Sequence, residues 1–243
     1  MKLTPQEIFD KLVKEEKLTS KEGLISFSLS DVSIVVKQRD VVGNILQEWL
    51  QGWLEEKDID YSLNDNSQMP PDFYLDPDDK TTNLLEVKAF NYSASPAFDI
   101  ADFRMYESEI IDKPYMLYVD YLIFGYDMDT ASGIVSIKDI WLKKVWEITS
   151  SSSFWPLTLQ VKKGTVHKIR PKKWYGGQAK VFSCVEDFVS AIEQTVWQNP
   201  ATKPSSAQWL NHFNSSYKKH YGLELSIPRW NEVKNTYQKT DLN

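Results

Sequence analysis

The chain has 243 residues, 42% hydrophobic and 26% charged, a balance that excludes a disordered or low-complexity protein and allows a full core. A formal charge of −6 argues against a uniformly basic nucleic-acid binder, and the single cysteine, Cys184, excludes an internal disulfide framework and reads as a small core residue. The opening MKLTPQEIFDKLVKEEK is polar and amphipathic rather than a secretory leader, and the most apolar run, PYMLYVDYLIFGY, contains Asp120 and is too short to span a bilayer, so a soluble cytoplasmic protein with no membrane partner is expected.

A first helix is expected over residues 4–18, with Thr4 as cap and Pro5 at its first position. Short extended runs follow at 24–29 and 32–36. Residues 41–57, VVGNILQEWLQGWLEEK, read as a second helix on which Ile45, Trp49 and Trp53 share a face, with Glu48 near it. A hairpin comes next, with strands at 73–75 and 84–90 and the turn-rich DPDDKTTN between them. A third helix is expected from 96 to about 112, capped by Ser95, with Pro96, Asp99 and Asp102 suited to its N-terminal end. Two long strands, 115–126 and 133–146, lead into a segment of strands and loops, and two helices near 185–198 and 205–221 close the chain. This order predicts an α/β sandwich around a mixed sheet, as a single domain over 1–243.

The hairpin carries the chemistry. Side chains alternate across a strand, so Glu86 and Lys88 point one way and Leu85, Val87 and Ala89 the other. A hairpin folded about Asp79 sets Asp72 opposite Glu86, with Cβ atoms roughly 4.5–5.5 Å apart. Two carboxylates so placed repel unless they share a hard cation, and Mg2+ takes one or two carboxylates together with water and phosphate oxygens. Lys88, one pleat along, is placed to orient or deprotonate a water, or to stabilise a pentavalent phosphorus. An acid–x–Lys match is ordinarily an exposed ion pair, and the chain has five: Glu15/Lys17, Glu55/Lys57, Asp78/Lys80, Glu86/Lys88 and Glu232/Lys234. Only Glu86/Lys88 lies in an apolar strand with a Pro–Asp, Pro71 and Asp72, at the mouth of the partner strand. Asp78, after Pro77, is the rival carboxylate, ranked lower because the turn needs it.

The charge is unevenly spread. From 148 to 185 there is no Asp or Glu, while Lys162, Lys163, Lys168, Arg170, Lys172, Lys173 and Lys180 fall in the same stretch. The bland reading is a solvated basic face. The sharper one is contact with double-stranded DNA: Arg170 reads a guanine edge, Lys162, Lys163, Lys168, Lys172 and Lys173 hold phosphates, His167 lies among them and Gln178 reads an adjacent base. His167 is far in sequence from His212 and His220, so no histidine metal site is expected.

Pro71–Asp72 … Glu86–Val87–Lys88 resembles the PD-(D/E)xK nuclease signature, and the run LLEVKAFNYSASPAFDIADFRMYESEIIDKPYMLYVDYLIFGY resembles type II restriction endonucleases of the NgoBV/NlaIV type over most of the chain. The resemblance implies a restriction-endonuclease-like α/β core, a mixed central sheet flanked by helices. It implies a catalytic core at about 40–147 and a DNA-recognition and C-terminal helical part at about 148–243. Asp72 and Glu86 would ligate Mg2+ with the Val87 carbonyl adding a ligand, Lys88 would be the catalytic lysine, and Glu48 would be the helix glutamate, with Glu55 as fallback. The substrate implied is duplex DNA at the palindrome GGNNCC, cut by a homodimer whose cognate methyltransferase forms no stable complex with it. The dimer surface is not legible in the sequence; the C-terminal helices, with Trp197, Trp209 and Phe213, are the first patch to check. Two other readings stay open: a repair or structure-specific nuclease of the same fold, and a binding domain without catalysis.

Overall fold

Thr4 and Glu7 satisfy each other at the start of the computed structural model: the Glu7 N–H donates to Thr4 Oγ1 (3.2 Å) and the Thr4 N–H to Glu7 Oε2 (2.8 Å). Pro5 then opens α1 (Pro5–Asp10), which widens to a π-turn over Lys11–Glu15 rather than running regularly to residue 18. The structure describes residues 1–66, 69–177 and 180–238. They fall into two units, Met1–Asp65 with Pro71–Phe98 and Asp120–Lys143, and Asn66–Pro70 with Asp99–Val119 and Lys144–Asn243.

The further elements, in chain order, are β1 (Glu22–Leu24), β2 (Ser26–Leu29), β3 (Val32–Val35), α2 (Val42–Glu56), β4 (Ser62–Leu63), β5 (Phe73–Tyr74) and β6 (Leu84–Asn91). After these come β7 (Ala101–Asp102), α3 (Phe103–Asp112), β8 (Asp120–Met128), β9 (Ile134–Lys144), β10 (Leu159–Lys162) and β11 (Thr165–Ile169). Three helices close the chain: α4 (Val185–Gln198), α5 (Ser206–Tyr221) and α6 (Trp230–Tyr237).

In the first unit a mixed six-stranded sheet has the order β1-β9-β8-β6-β5-β4. β5 and β6 pair antiparallel, Phe73 with Leu85 and Tyr74 with Leu84, and β6 runs parallel to β8 from Leu85↔Asp120 to Asn91↔Tyr126. Ile8, Leu12, Leu50 and Leu54 from the two helices pack with Phe73, Leu85, Val87, Leu122 and Phe124, all buried. The apolar face of α2 differs from the expected one. Val42, Leu50, Trp53 and Leu54 are the buried positions, while Ile45 and Trp49 are partly exposed and line an open apolar cavity of about 360 Å³ with Leu18, Leu24, Val135 and Ile137.

In the second unit β10, β11 and β7 form a three-stranded sheet. This sheet explains why α3 starts later than expected. Ala101 and Asp102 pair with Ile169 and Lys168 of β11, and the Ile100 N–H donates to the Ile169 carbonyl (3.0 Å). That pairing holds the segment extended, so the helix begins at Phe103, capped by Asp102 through the N–H groups of Arg104 and Met105. Asp99 is drawn instead to Arg170, at 2.7 Å. Residues 114–118 form a 3₁₀ turn rather than the start of a strand, because Pro114 has no N–H for a ladder. The chain closes with a third helix, α6, beyond the two that the sequence pattern predicts; Glu232 reaches back to the Arg229 N–H (3.1 Å) to start it. Trp209 and Phe213 are not available for a dimer patch: both are buried and stacked at 5.6 Å, with the Trp209 indole N–H donating to Glu107 (2.8 Å). Trp197 is exposed, with the Lys203 ammonium over its ring. No helix among the described residues is long and apolar enough to cross a membrane.

Asp102→Ala removes the cap of α3 and is expected to cost about 1 kcal/mol in urea unfolding, with Asp102→Asn retaining most of the stability.

Candidate active site

Backbone accounting at the end of the hairpin explains how Asp72 is held. The Leu75 N–H donates to Asn83 (3.0 Å), and hydrogen-bonded pairs recur every second residue along an antiparallel ladder. The next such positions after 73/85 are 71/87, but Pro71 lies outside β5, which starts at Phe73. The Val87 N–H is taken instead by the Asp72 carboxylate, Oδ2 at 2.8 Å. The other oxygen, Oδ1, accepts from Gln47 Nε2 of α2 at 2.9 Å. Burial raises the Asp72 carboxyl above the usual range despite these donors and Lys88.

Glu86 lies next on β6 and is only 4% exposed. Its Oε1 pairs with Lys88 Nζ at 2.6 Å. Its Oε2 is buried and has no hydrogen-bond partner among the described residues. Burial pushes the Glu86 carboxyl up to about 7; Lys88 works against that rise and the like charge of Asp72 adds to it. When Glu86 is protonated, the two carboxyls can share that proton. An orphaned buried carboxylate oxygen beside a second carboxylate is a donor set that suits a hard divalent cation.

The hairpin thus brings Asp72, Glu86, the Val87 backbone and Lys88 together within the first unit. Glu48 is exposed, and the α2 residue that reaches Asp72 is its neighbour Gln47. Among the described residues no three or more His, Cys, Asp or Glu gather as a metal cluster, so Glu48 does not join the pair. Glu55 accepts from Tyr61 (2.6 Å) and Gln51 (3.3 Å), and Asp78 is exposed and paired with Lys2 (2.8 Å). Nothing in the sequence marks Gln47: its side chain is uncharged, and its spacing of one turn from Gly43 and Leu50 carries no charge signal.

In the second unit Lys163 and Gly164 make the two-residue turn between β10 and β11, both at positive φ (50° and 77°), which exposes Lys162 and Lys163. Lys172 and Lys173 are exposed too, the latter over the Tyr175 ring. His167 is half-buried in β11. Lys168 and Arg170 are engaged within the unit, with Asp102 (3.8 Å) and Asp99 (2.7 Å). Gln178 lies outside the described residues, and Cys184 is half-buried at the start of α4.

A mixed sheet bearing this hairpin defines the protein as an enzyme with the restriction-endonuclease fold. The solved NlaIV restriction endonuclease superposes with a TM-score of 0.95 at 60% identity, covering 99% of this chain and 98% of that one. Residues 2–237 match the NgoBV restriction endonuclease family, and the chain belongs to it. It is 60% identical to the type II restriction enzyme NlaIV of Neisseria lactamica over 98% of this chain and 99% of that protein. It is 55% identical to the type II restriction enzyme NgoBV of Neisseria gonorrhoeae over 67% of this chain and 92% of that one. The chain is accordingly a type II restriction endonuclease.

The raised Glu86 carboxyl fixes a pH dependence for the metal-free protein. The folded state holds this proton more tightly than the unfolded chain, so its stabilising contribution is full below the ordinary value of 4.5 and is lost as pH rises through about 7. Thermal unfolding without divalent ions is expected to show a loss of about 2–3 kcal/mol across that window, absent in Glu86→Gln.

Proposed function

We propose that the chain binds double-stranded DNA at the palindrome GGNNCC and hydrolyses a phosphodiester in each strand, using Mg2+ held by Asp72, Glu86 and the Val87 carbonyl. The single observation that carries this reading is the buried, partnerless oxygen of Glu86 beside Asp72. Mg2+ bound there would supply the positive charge that neutralises the scissile phosphate. Gln47 and the Val87 N–H hold the Asp72 carboxylate in one orientation, so its position is set before any ion arrives. Lys88 keeps its ammonium at the Glu86 carboxylate, from which it can hydrogen-bond the attacking water and the phosphate. Glu48, exposed on α2, is assigned at most to a water further out.

Specificity belongs to the basic segment. Lys162, Lys163, Lys172 and Lys173 are exposed and suited to phosphates, with Lys168 and His167 beside them on β11. Arg170, paired with Asp99, is assigned to a guanine edge, and Gln178 to a neighbouring base. A palindromic site calls for a homodimer, one active site per strand, and the cognate methyltransferase would protect the same sequence without a stable complex.

The test is cleavage of long unmethylated DNA with Mg2+. The wild type is expected to give discrete fragments ending at one sequence. Asp72→Asn and Lys88→Ala are each expected to lose at least about a hundredfold in rate while still retarding the DNA on a gel. A smear, or preference for branched DNA, would replace this reading with a structure-specific nuclease, and unimpaired cutting by either variant would refute the site.

A further inference from the structure

Phe154 is the most exposed large apolar side chain among the described residues, at 87%. A single apolar side chain at the surface is ordinary. This one differs in how firmly it is held out. The Ser152 N–H donates to the Trp155 carbonyl (2.9 Å) and the Trp155 N–H to Ser152 Oγ (3.0 Å), which closes a turn beneath the ring. Gln238, just beyond α6, clamps the same turn, its Nε2 donating to the carbonyls of Ser152 (3.0 Å) and Trp155 (3.4 Å). α6 is itself tied to the start of α4 through Tyr237, whose hydroxyl donates to Asp187 and meets the Ser183 hydroxyl at 2.8 Å. Below the turn the loop enters the core: Ser150, Ser151 and Leu157 are buried, and the Thr158 N–H donates to the Ser150 carbonyl (2.7 Å). A loose tip could fold such a ring back onto the protein; a pinned one leaves its apolar surface in water.

We propose that Phe154 is a wedge that enters the base stack of the bound duplex, an inference that rests on the DNA-binding reading given above. The loop stands among groups suited to phosphates. Its two arms are laced to the basic segment, the Thr158 carbonyl accepting from the Arg170 N–H (2.9 Å) and the Ile148 carbonyl from the Lys172 N–H (2.8 Å), and Lys172 and Lys173 are exposed. Residues 149–159 carry no charge, and Ser151, Ser152 and Ser153 are small, so the loop itself neither repels a phosphate backbone nor blocks its close approach. One ring is too little for a protein interface: it offers roughly 200 Å², against about 800 Å² on each side of a standard one. It is the right size for one base step, which apolar side chains open by partial unstacking, bending the duplex as they enter. The pinned turn matters here, because a wedge already in place loses little conformational freedom on binding. Unstacking is easiest at pyrimidine–purine steps, so the ring would select among sequences that no side chain reads by hydrogen bonds.

Fluorescence of 2-aminopurine, which stacking quenches, tests this. Duplexes containing GGNNCC carry the base singly at each N position and each flanking position, and the full chain is added with Ca2+ in place of Mg2+ to keep the duplex intact. The wild type is expected to raise the fluorescence at least about threefold at one or more positions. Phe154→Ala is expected to retard the same duplexes on a gel, with an unchanged circular dichroism spectrum, and to give no rise. Phe154→Leu, still an apolar wedge, is expected to keep about half of it. Bound duplex with no rise at any position, or an equal rise with Phe154→Ala, overturns the wedge, and discrete cleavage by the same protein would leave the nuclease reading standing. Failure to retard any duplex overturns the wedge together with the DNA-binding reading on which it rests. A rise that Phe154→Ala abolishes supports the wedge even if Mg2+ brings no cleavage, an outcome that removes only the nuclease reading. A Phe154→Ala chain that sediments differently from the wild type while keeping the full rise assigns the ring to a protein contact instead.

Discussion

Everything at the site follows from one unfavourable arrangement: two carboxyl groups held side by side at the end of a hairpin, one of them almost wholly out of water. Burial disfavours the charged form of Glu86, and the neighbouring Asp72 disfavours it again. Lys88 offsets part of this, through its contact with Glu86 Oε1. The remaining oxygen is left with nothing to bind it among the described residues. Evolution ordinarily removes such a group, because an uncompensated buried charge costs several kcal/mol. Such a group in a central strand is what a site that gives up stability for binding would contain.

The scaffold explains why this arrangement can be held at all. β6 is flanked by β5 on one side and, from Leu85 to Asn91, by β8 on the other, and its opposite side chains, Leu85 and Val87, are buried in the first unit's core. A strand so fixed cannot slip by one residue without moving Glu86 and Lys88 to the apolar face and Leu85 and Val87 to the polar one. The short β5 adds the second carboxylate: because it starts at Phe73, the Val87 N–H is left for the side chain of Asp72. Gln47 then ties that carboxylate to α2, a second rigid element.

The hairpin register was legible in the sequence because two local signals agreed, alternation in 84–90 and turn residues in DPDDKTTN. The 3.6-residue period likewise placed α2, α4 and α5. What failed were features decided elsewhere in the chain. Ser95 and Pro96 look like a helix start, but pairing of Ala101 with Ile169 keeps the backbone extended past them. Trp209 and Phe213 look like a surface patch until Glu107, about a hundred residues away in sequence, is seen to bind the indole. The position of Ile45 and Trp49 at a cavity, rather than in the core, depends on β1 and β9, which no reading of the helix alone can supply. Gln47 was hidden for a chemical reason: a neutral amide carries no charge pattern, and its role appears only once Asp72 is beside it. The resemblance to restriction endonucleases reached further than pattern did, since it rested on a long run of residues rather than on a five-residue signature.

The most direct measurement is anomalous diffraction from crystals of the protein soaked in Mn2+. The account predicts a peak within about 2–2.5 Å of a carboxylate oxygen of both Asp72 and Glu86, with Glu86 Oε2 among its ligands. Crystals that take up Mn2+ elsewhere, or not at all, with Glu86 still bound only to Lys88, would contradict it.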